Sequence, residues 1–413
     1  MRRLSRRTLL IGSAAAAVAA PALTRAQGRG GFDVAVVGAG VFGAWTAVHL
    51  QRRGRRVLLL DAWGPAHARA ASGGESRMTR GAYGRDEIYT RMALDSLVEW
   101  RGLSARAGLP IFHRTGVLFF FPRVEPYVEE SLAVHRRLGL PTERLGRSAL
   151  RRRFPMIDFD GVEVGLYEPQ FGALMARRAV QTLVAEFVRE GGTYRDAAVA
   201  PPDAESGRLR RIRTSQGERI EAEQFVFACG PWLPLLFPRL LGNRIFPTRQ
   251  EVFFFATPPG DERFLPGRLP GWADFNGGDI YYGFPDLERR GFKIAHDAHG
   301  PRVDPDTLER TPSAEALADV RAFMARRFPA LAGRPLNEAR VCQYENSSNG
   351  DLLIDRHPEL GDVLLVGAGS GHGFKHGPEV GRYAARLLTG DLDRPEPRFS
   401  LATKAEAQSR DVH

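Results

Sequence analysis

The chain has 413 residues, of which 43% are hydrophobic and 26% are charged, an ordinary composition for a globular protein of one large or two smaller domains. Its net charge of +10 would suit a nucleic-acid or membrane partner. However, residues 1–26 hold five arginines and no acid, and the remaining 53 basic and 48 acidic residues give only +5. No long basic run with interleaved aromatic residues follows, so we expect no nucleic-acid partner.

Residues 1–26 are typical of an export signal. Arg6 and Arg7 precede two leucines and an alanine-rich apolar run, which resembles a twin-arginine signal. The apolar run is too short for a comfortable membrane span. An ordinary secretory signal and a retained anchor are the alternatives to a twin-arginine signal. We therefore expect a periplasmic or secreted protein, without a stable membrane span, that is exported after folding.

The segment after this signal has the order that a dinucleotide-binding fingerprint requires: strand 32–37, a glycine-rich turn, a helical pattern, strand 56–60 and an acidic residue. Gly38 permits a tight turn, Gly40 lets the backbone approach a pyrophosphate, and Gly43 lets helix and strand pack closely. The fingerprint does not separate NAD from FAD, and a structural turn in an unrelated α/β unit is the alternative. The predicted cofactor-binding residues here are Gly38, Ala39, Gly40, Val41, Phe42, Gly43 and Asp61, whose carboxylate would bind a ribose.

The middle of the chain alternates helical and strand-like patterns. The predicted helices are 87–107, 127–138 and 317–328, and the predicted strands are 116–121, 224–228, 250–255, 280–284 and 292–295. Strand 224–228 ends at Cys229-Gly230, as flavoproteins with this nucleotide fold often do. Cys229 and Cys342 could form one disulfide in an oxidising compartment, or each could be a small buried thiol.

Lysine is rare, since only three of the 58 basic residues are lysines. Lysine can lose its proton in a buried site and arginine cannot, so a retained lysine is a candidate for chemistry; codon bias with chance survival is the alternative. Lys293 follows a strand-like run and Lys375 closes a glycine-rich stretch. Lys404 lies in a polar C-terminal segment, where an isolated lysine means little.

Several motifs in order resemble one family. Residues 71–84 (ASGGESRMTRGAYG), 340–344 (RVCQY), 353–358 (LIDRHP) and 363–375 (VLLVGAGSGHGFK) together resemble the monomeric sarcosine oxidase family of flavin amine oxidases, which are D-amino-acid-oxidase-like FAD-dependent oxidoreductases. The likeness runs from about residue 32 to 390. It implies an α/β fold with an FAD-binding Rossmann-like domain and a second, mixed β-sheet substrate domain.

The resemblance also implies roles for single residues. Cys342 matches a cysteine bonded covalently to the flavin 8α-methyl group, and Lys293 matches a lysine that promotes the reaction of reduced flavin with oxygen. Lys375 and Arg80 match a pair that binds the substrate carboxylate. Arg77 matches an arginine on the other face of the flavin ring. Without the motifs, these arginines would be read as surface residues.

Further residues are assigned by the same resemblance. Tyr282 and Tyr344 match aromatic walls of the substrate cavity, although tyrosines on strands are also common in cores. Ser76 and Val199 match positions that contact the flavin. No metal ligand is predicted. The C-terminal glycine-rich motif is predicted to approach the flavin through Gly369, Gly371, His372, Gly373, Phe374 and Lys375.

Some residues depart from the family pattern. Gly73 and Asp297 stand where sarcosine oxidases carry histidines near the flavin and in the active site, and His296 replaces the neighbour of the second histidine. Glu345 makes the segment after Tyr344 more acidic than usual. These changes put sarcosine itself in doubt, and a buried Glu345 or Asp297 would favour a substrate with a second cation.

We therefore predict a monomeric FAD-dependent enzyme that oxidises a secondary or N-alkyl amino acid to the imine and reduces oxygen to hydrogen peroxide. A dehydrogenase that passes electrons to a quinone or other carrier is one alternative. A non-catalytic secreted protein that binds flavin or polyanions is another. The predicted division is an export signal at 1–26, an FAD-binding domain at 32–112, 172–235 and 335–393, a substrate domain at 113–171 and 236–334, and a tail at 394–413.

Overall fold

The computed structural model describes residues 31–203, 207–275, 280–298, 300–392 and 395–407. The predicted export signal lies outside the described residues. From Gly31 onward the chain forms one compact unit, so the division into two domains stays a prediction. No helix in the described ranges is both long enough and apolar enough to cross a membrane.

Helices and strands alternate along the described residues and are numbered in chain order. The strands are β1 (Phe32–Val37), β2 (Val57–Asp61), β3 (Ser76–Thr79), β4 (Phe112–His113), β5 (Val117–Phe121), β6 (Glu143–Gly146), β7 (Val164–Glu168), β8 (Gly172–Met175), β9 (Thr193–Asp196), β10 (Arg211–Arg213), β11 (Arg219–Phe227), β12 (Ile245–Phe255), β13 (Gly271–Phe275), β14 (Ile280–Phe284), β15 (Phe292–Asp297), β16 (Leu336–Ser347), β17 (Leu353–Arg356) and β18 (Val363–Gly367). The α-helices are α1 (Val41–Gln51), α2 (Glu87–Ala107), α3 (Pro126–Arg137), α4 (Arg147–Arg153), α5 (Ala176–Arg189), α6 (Leu233–Leu236), α7 (Pro238–Leu241), α8 (Ala314–Arg327) and α9 (Gly377–Thr389).

The nucleotide sheet has the strand order β17-β18-β11-β1-β2-β9, with β10 added beside β11. The strands from β18 to β9 pair in parallel, and β17 closes one edge antiparallel. Parallel strands covered on both faces read as continuous apolar runs, as β2 and β18 do. β11 returns to this sheet beside β1; it begins five residues before the predicted strand 224–228 and ends one residue before its end. The predicted α/β class is confirmed.

A second, mixed sheet has the order β16-β12-β15-β14-β13-β5-β7-β6. Paired residues in neighbouring strands share a face, and side chains alternate along each strand. Lys293 on β15 pairs with Phe284 on β14 and with Phe254 on β12. Gln250 lies four residues before Phe254 on β12, so the two side chains share a face, and Gln250 pairs with Cys342 on β16. This register places Lys293 and Cys342 on one face of the sheet.

The predicted elements of the middle of the chain are present, with small shifts in their ends. The predicted helix 87–107 is α2, with the same bounds. The predicted helix 317–328 begins earlier, at Ala314, because the Ser313 side chain accepts a hydrogen bond from Ala316 N and caps the helix. Local capping therefore extended this element beyond its apolar pattern.

The C-terminal segment packs against the body of the protein. Lys404 is 1% exposed, and its Nζ donates to the Arg398 carbonyl over 2.7 Å. Arg398 in turn forms ion pairs with Asp86 and Asp351. Burial lowers the pKa of Lys404 to about 8. The expectation of an isolated lysine in a polar tail was wrong, because this segment is held by contacts from distant parts of the chain.

Candidate active site

Asp61 holds the glycine-rich turn at the end of β1. Its Oδ2 accepts from Ala39 N over 2.8 Å, and its Oδ1 accepts from Trp63 N and Gly64 N over 3.0 and 3.1 Å. Burial nevertheless raises the pKa of this carboxyl, against the effect of the backbone donors. Asp61 also lines the large cavity described below, where the sequence predicts that it binds a ribose.

Two glycines of the turn are required by close backbone approach. Gly38 has φ +104°, and a Cβ there would lie 2.3 Å from the Ala228 carbonyl oxygen. A Cβ on Gly43 would lie 1.8 Å from the Gly38 carbonyl oxygen. Any larger side chain would push α1 away from β1 and β11. The sequence assigned these two roles correctly to a tight turn and to helix–strand packing.

A cavity of about 420 Å³ opens at this turn and runs toward the eight-stranded sheet. The N-terminus of α1 faces it through Gly40, Val41 and Phe42. The N-terminus of α1 favours a phosphate, because its N–H groups and the helix dipole point at the ligand. Of the residues that the sequence assigned, the cavity is lined by Gly38, Gly40, Val41, Phe42, Asp61, Arg77, Val199, Tyr344, Gly369, Gly371, Gly373 and Phe374.

The remaining predicted cofactor residues lie behind this lining. Ala39 is buried under the turn, and Gly43 packs on Gly38. Ser76 is buried beside Lys293. His372 and Lys375 lie beneath the glycine-rich stretch that follows β18, where each forms a hydrogen bond with the Tyr83 hydroxyl group.

Two tryptophans form part of the cavity wall and were missed by the sequence reasoning. The rings of Trp63 and Trp232 lie 4.8 Å apart, and Trp232 Nε1 donates to Asp306 over 2.8 Å. Arg69 covers the Trp63 ring at 5.0 Å. Trp63 stands two residues after the acid of the fingerprint and Trp232 three after Cys229, so proximity to these motifs was the available signal.

Cys342 lies at the far end of this region on the site face of the second sheet. Arg77 donates a hydrogen bond to Cys342 Sγ over 3.4 Å and is held by the carbonyls of Ala71 and Ser76. Cys229 and Cys342 are both free, so the disulfide considered from the sequence does not form. Burial raises the pKa of Cys229 well above its usual value, as expected of a small buried thiol.

Lys293 is buried beside Cys342 and Arg77. It is 2% exposed, and its Nζ donates to the carbonyl and Oγ of Ser76 over 3.1 and 3.2 Å. Burial, together with the nearby charge of Arg77, lowers the pKa of Lys293 to about 7. A lysine with such a pKa can both carry charge and exchange a proton near neutral pH, which arginine cannot do.

Lys375 and Arg80 meet on a tyrosine that the sequence reasoning did not single out. Lys375 Nζ donates to Tyr83 Oη over 2.7 Å and to the His372 carbonyl over 2.7 Å. The Arg80 guanidinium lies 3.9 Å from the centre of the Tyr83 ring and also bonds the Ala82 carbonyl. Burial, and then the charge of Arg80, lowers the pKa of Lys375 well below its usual value. Tyr83 lies inside the motif 71–84, so the resemblance could have included it.

Two histidines extend this cluster. His372 Nε2 donates to the Gly350 carbonyl over 3.0 Å, because a carbonyl can only accept, and His372 Nδ1 lies 3.2 Å from Tyr83 Oη. His376 Nε2 lies 2.7 Å from the same hydroxyl. Burial lowers the pKa of His376 far below its usual value and keeps it neutral. The cluster thus holds Lys375 through one shared hydroxyl group.

Tyr282 and Tyr344 stand on the same face as Lys293. They are hydrogen-bonded to each other, and burial raises the pKa of Tyr282 to about 12, helped by the charge of Asp297. Asp297 follows Lys293 by four residues on β15, so it faces the same side of the sheet. Its charge also acts on Lys375 and Arg80. We expected Asp297 in the pocket from the sequence, and it lies near both predicted substrate-binding cations.

The two other departures from the family pattern have different surroundings. A Cβ on Gly73 would lie 2.0 Å from the His67 carbonyl oxygen, so this backbone leaves no room for a histidine. Glu345 lines the large cavity and not the smaller space bounded by Tyr282, Lys293 and Cys342. The charge of Glu345 is therefore presented to the cofactor region.

These features fit a dinucleotide with a ring system at one end. The glycine turn and helix terminus suit a pyrophosphate, and Cys342 lines a smaller neighbouring space that shares Arg77 and Tyr344 with the cavity. The Asp61 carboxylate lines the same cavity and suits a ligand with hydroxyl groups. Among the residues that the structure describes, no group of three or more potential metal ligands is found.

Residues 33–387 match the family described as FAD dependent oxidoreductase. The chain belongs to this family. Monomeric sarcosine oxidase of Bacillus sp. (strain B-0618) is 31% identical over 392 residues, which cover 92% of this chain and 97% of that protein. N-methyl-L-tryptophan oxidase of Salmonella heidelberg (strain SL476) is 30% identical over 377 residues, or 90% of this chain and 97% of that protein. The predicted relationship and the FAD-dependent enzyme class are confirmed.

Solved structures of other proteins share the fold. L-proline dehydrogenase from P. horikoshii superposes with a TM-score of 0.78 at 20% identity, covering 90% of this chain and 97% of that one. NikD, an amino acid oxidase essential for nikkomycin biosynthesis, gives a TM-score of 0.73 at 23% identity, with coverage of 90% and 97%.

Proposed function

We propose that this protein oxidises a secondary or N-alkyl amino acid to its imine and reduces dioxygen to hydrogen peroxide. The substrate loses a hydride from the carbon next to nitrogen and a proton from nitrogen; dioxygen receives two electrons and two protons. Water then hydrolyses the imine to a carbonyl compound and an amine. The proposal rests on one observation, the pair of buried cations Lys375 and Arg80 that share Tyr83, beside the sheet face that carries Lys293 and Cys342.

Lys375 and Arg80 would bind the substrate carboxylate. Both are buried, at 4% and 5% exposure, so a bound carboxylate would be screened little by water. The Arg80 fork suits a planar carboxylate, and an incoming negative charge favours the protonated form of Lys375. Tyr83 restrains both cations, so little conformational freedom is lost when the substrate binds.

When bound, FAD supplies the two-electron redox chemistry: a hydride acceptor for the substrate and an electron donor to oxygen. Lys293 would place a positive charge where negative charge develops on oxygen, in a site from which water is largely excluded. The pKa of about 7 also lets Lys293 give up a proton near neutral pH. Both properties support its assignment to the oxygen half of the reaction.

The presence of Asp297 favours a substrate with a second positive charge. Its carboxylate acts on both tyrosines of the pocket and on Lys375. An added cation on the substrate side chain would offset this negative charge. Nα-methyl-lysine should therefore be preferred over Nα-methyl-norleucine, which has a similar size and no side-chain charge, and Asp297→Asn should remove the preference.

A panel of N-methyl, cyclic and primary amino acids tests the main proposal. Under anaerobic conditions, a substrate should bleach the flavin absorbance within the time of turnover; under air, it should release one hydrogen peroxide per imine. Bleaching by no amino acid would refute amine oxidation. Dye reduction without peroxide release would refute oxygen as the acceptor and favour electron transfer to a carrier.

We further propose that Cys342 bonds covalently to FAD and that the twin-arginine signal exports the folded protein. The free thiol of Cys342 and its contact with Arg77 support the first proposal. The order of residues in 1–26 supports the second. Lysines in place of Arg6 and Arg7 should retain the precursor in the cytoplasm, whereas the same exchange at Arg2 and Arg3 should not.

A further inference from the structure

Two carboxylates and two arginines form a closed ring of ion pairs beside the small space that Lys293 lines. Glu75 pairs with Arg290 over 3.1 Å and with Arg340 over 2.9 Å. Glu338 pairs with Arg290 over 2.8 Å and also with Arg340. The four side chains are at most 30% exposed, and Glu75 is the most buried of them at 16%. The ion-pair ring is therefore neutral as a whole and only partly screened by water.

Glu75 is the carboxylate of this ion-pair ring that faces Lys293. It precedes Ser76 in the chain, and the carbonyl and Oγ of Ser76 accept the hydrogen bonds of Lys293 Nζ. Glu75 lines the same small space as Lys293, whereas Glu338 does not. Because Ser76 is neutral, its hydrogen bonds do not offset the charge of Lys293, and a nearby carboxylate can do so.

Arg290 approaches Lys293 from the other side of the ion-pair ring, at the side chain of Phe254. The Arg290 guanidinium lies 5.4 Å from the centre of the Phe254 phenyl group, and Lys293 Nζ lies 5.9 Å from the same centre. Two cations so placed repel each other strongly in a site with little water. Glu75 and Arg290 therefore act on the charge of Lys293 in opposite directions.

Arg77 and Cys342 are the other groups with a strong effect on Lys293. Burial and then the charge of Arg77 lower the pKa of Lys293, Cys342 and Glu75 raise it, and Arg290 lowers it. A Cys342 sulfur that is bonded to the flavin, as proposed above, has no proton to lose and carries no charge. Glu75 is then the group among these that still favours the cation.

The tyrosines of the pocket add no charge beside Lys293. The Tyr282 ring centre lies 5.7 Å from Lys293 Nζ, and burial raises the pKa of this tyrosine to about 12. Burial likewise raises the pKa of Tyr344 well above its usual value, so both hydroxyl groups stay neutral near pH 7. Asp297, four residues beyond Lys293 on β15, acts on these two tyrosines.

We propose that Glu75 is a positioning residue for Lys293: its carboxylate, held by Arg290 and Arg340, keeps Lys293 protonated where oxygen is reduced. The two arginines fix the carboxylate, and their own charges limit its effect. The consequence for oxygen rests on the role proposed above for Lys293. The charge of Lys293 itself can be measured without turnover.

Nuclear magnetic resonance tests this proposal directly, because the chain has only three lysines. Holoenzyme with isotope-labelled lysine Cε carbons should give three side-chain signals, and Lys293→Met identifies the signal of Lys293. The native midpoint of its titration is expected near pH 7. Glu75→Gln should lower this midpoint by about half a pH unit or more, because a neutral amide no longer favours the cation.

Arg290→Gln is the matched variant, because it breaks the same ion pair from the other side. It removes a positive charge and leaves Glu75 less compensated, so the midpoint should rise. A general loosening around Lys293 would instead shift both variants in the same direction. Glu338→Gln is the control; it disturbs the same two arginines outside the small space and should shift the midpoint less than Glu75→Gln.

Shifts of the same sign in Glu75→Gln and Arg290→Gln, or an unchanged midpoint in Glu75→Gln, would overturn the proposal. If Glu75→Gln does not fold, Arg290→Gln decides, and a midpoint that does not rise overturns it. The pH at which reoxidation by oxygen slows should follow the resonance midpoint in each variant. Reoxidation that ignores these midpoints would refute the role of Lys293 toward oxygen, while opposite shifts would still support the role of Glu75.

Discussion

The Arg77 guanidinium donates a hydrogen bond to Cys342 Sγ over 3.4 Å, although 265 residues separate the two. The carbonyls of Ala71 and Ser76 fix the guanidinium, so the sulfur has a defined hydrogen-bond donor beside the space that it lines with Lys293. This contact joins β3, which contains Arg77, to β16 of the second sheet.

Cys342→Ser should abolish covalent flavin, because it removes the only described thiol in contact with Arg77. The native protein should stay yellow after acid precipitation, and the variant pellet should be colourless. Cys229→Ser is the control and should stay yellow, since that thiol lies after β11 and donates to the Val37 carbonyl beside the nucleotide turn. Flavin that is freely extracted from the native protein would contradict the prediction.

Lys293→Met should slow reoxidation of the reduced enzyme by oxygen about 100-fold or more, because it removes the charge that stabilises developing negative charge. Flavin reduction by the amine should change much less. Stopped-flow absorbance separates the two steps, and Lys404→Met, at another buried lysine, is the control. Equal slowing of both steps would exclude the assigned role.

The same lysine predicts a pH dependence. Its pKa is lowered to about 7, so the cation is present below this pH and is lost above it. The rate of reoxidation should therefore fall as the pH rises through about 7 in the native enzyme. In the Lys293→Met variant, the rate of reoxidation should be low and independent of pH across this range. If that rate still falls as the pH rises through about 7, another group is responsible for the titration.

Lys375→Met should raise the KM of carboxylate-bearing substrates by about 10- to 100-fold, the effect of losing a hydrogen bond to a charged group. Neutral amines of the same size should be affected much less, because they lack the carboxylate. Steady-state kinetics on matched amino acids and amino alcohols measures the difference. A uniform loss for both classes would assign Lys375 to the cofactor side alone.

Tyr83→Phe should lower the free energy of unfolding by about 1–3 kcal/mol, since it leaves buried polar groups of Lys375 and His376 without this partner. It should also raise the KM of carboxylate substrates more than that of amino alcohols. Urea unfolding measures the first effect. Tyr194→Phe, which removes a partly exposed hydrogen bond to Asp196, is the control. If both variants lose the same free energy of unfolding, the buried cluster adds no stability beyond that of an exposed hydrogen bond.

The nucleotide turn could be predicted because its determinants are local. Gly38, Gly43 and Asp61 lie within one strand–helix–strand unit, and each close approach follows from the short spacing. The family resemblance likewise singled out Lys293 and Cys342 as site residues. Their common face on the second sheet, however, depends on the register of β12, β15 and β16, which the sequence did not show.

The Tyr83 cluster and the burial of Lys404 could not be predicted, because both depend on contacts across nearly the whole chain. Tyr83 meets Lys375 from 292 positions away. Glu345 was recognised as unusual from its charge alone, and the side of the strand on which it lies decided that it faces the cofactor cavity. Pattern and composition identify unusual residues, whereas long-range packing decides what each of them contacts.

The burial of all three lysines has a practical consequence for labelling. Lys293, Lys375 and Lys404 are 2%, 4% and 1% exposed, and the chain has no other lysine. Amine-reactive dyes and cross-linkers should therefore leave the lysine side chains of the folded protein nearly unmodified. Unfolding exposes three more amines, so the number of labels per chain reports directly on loss of the native state.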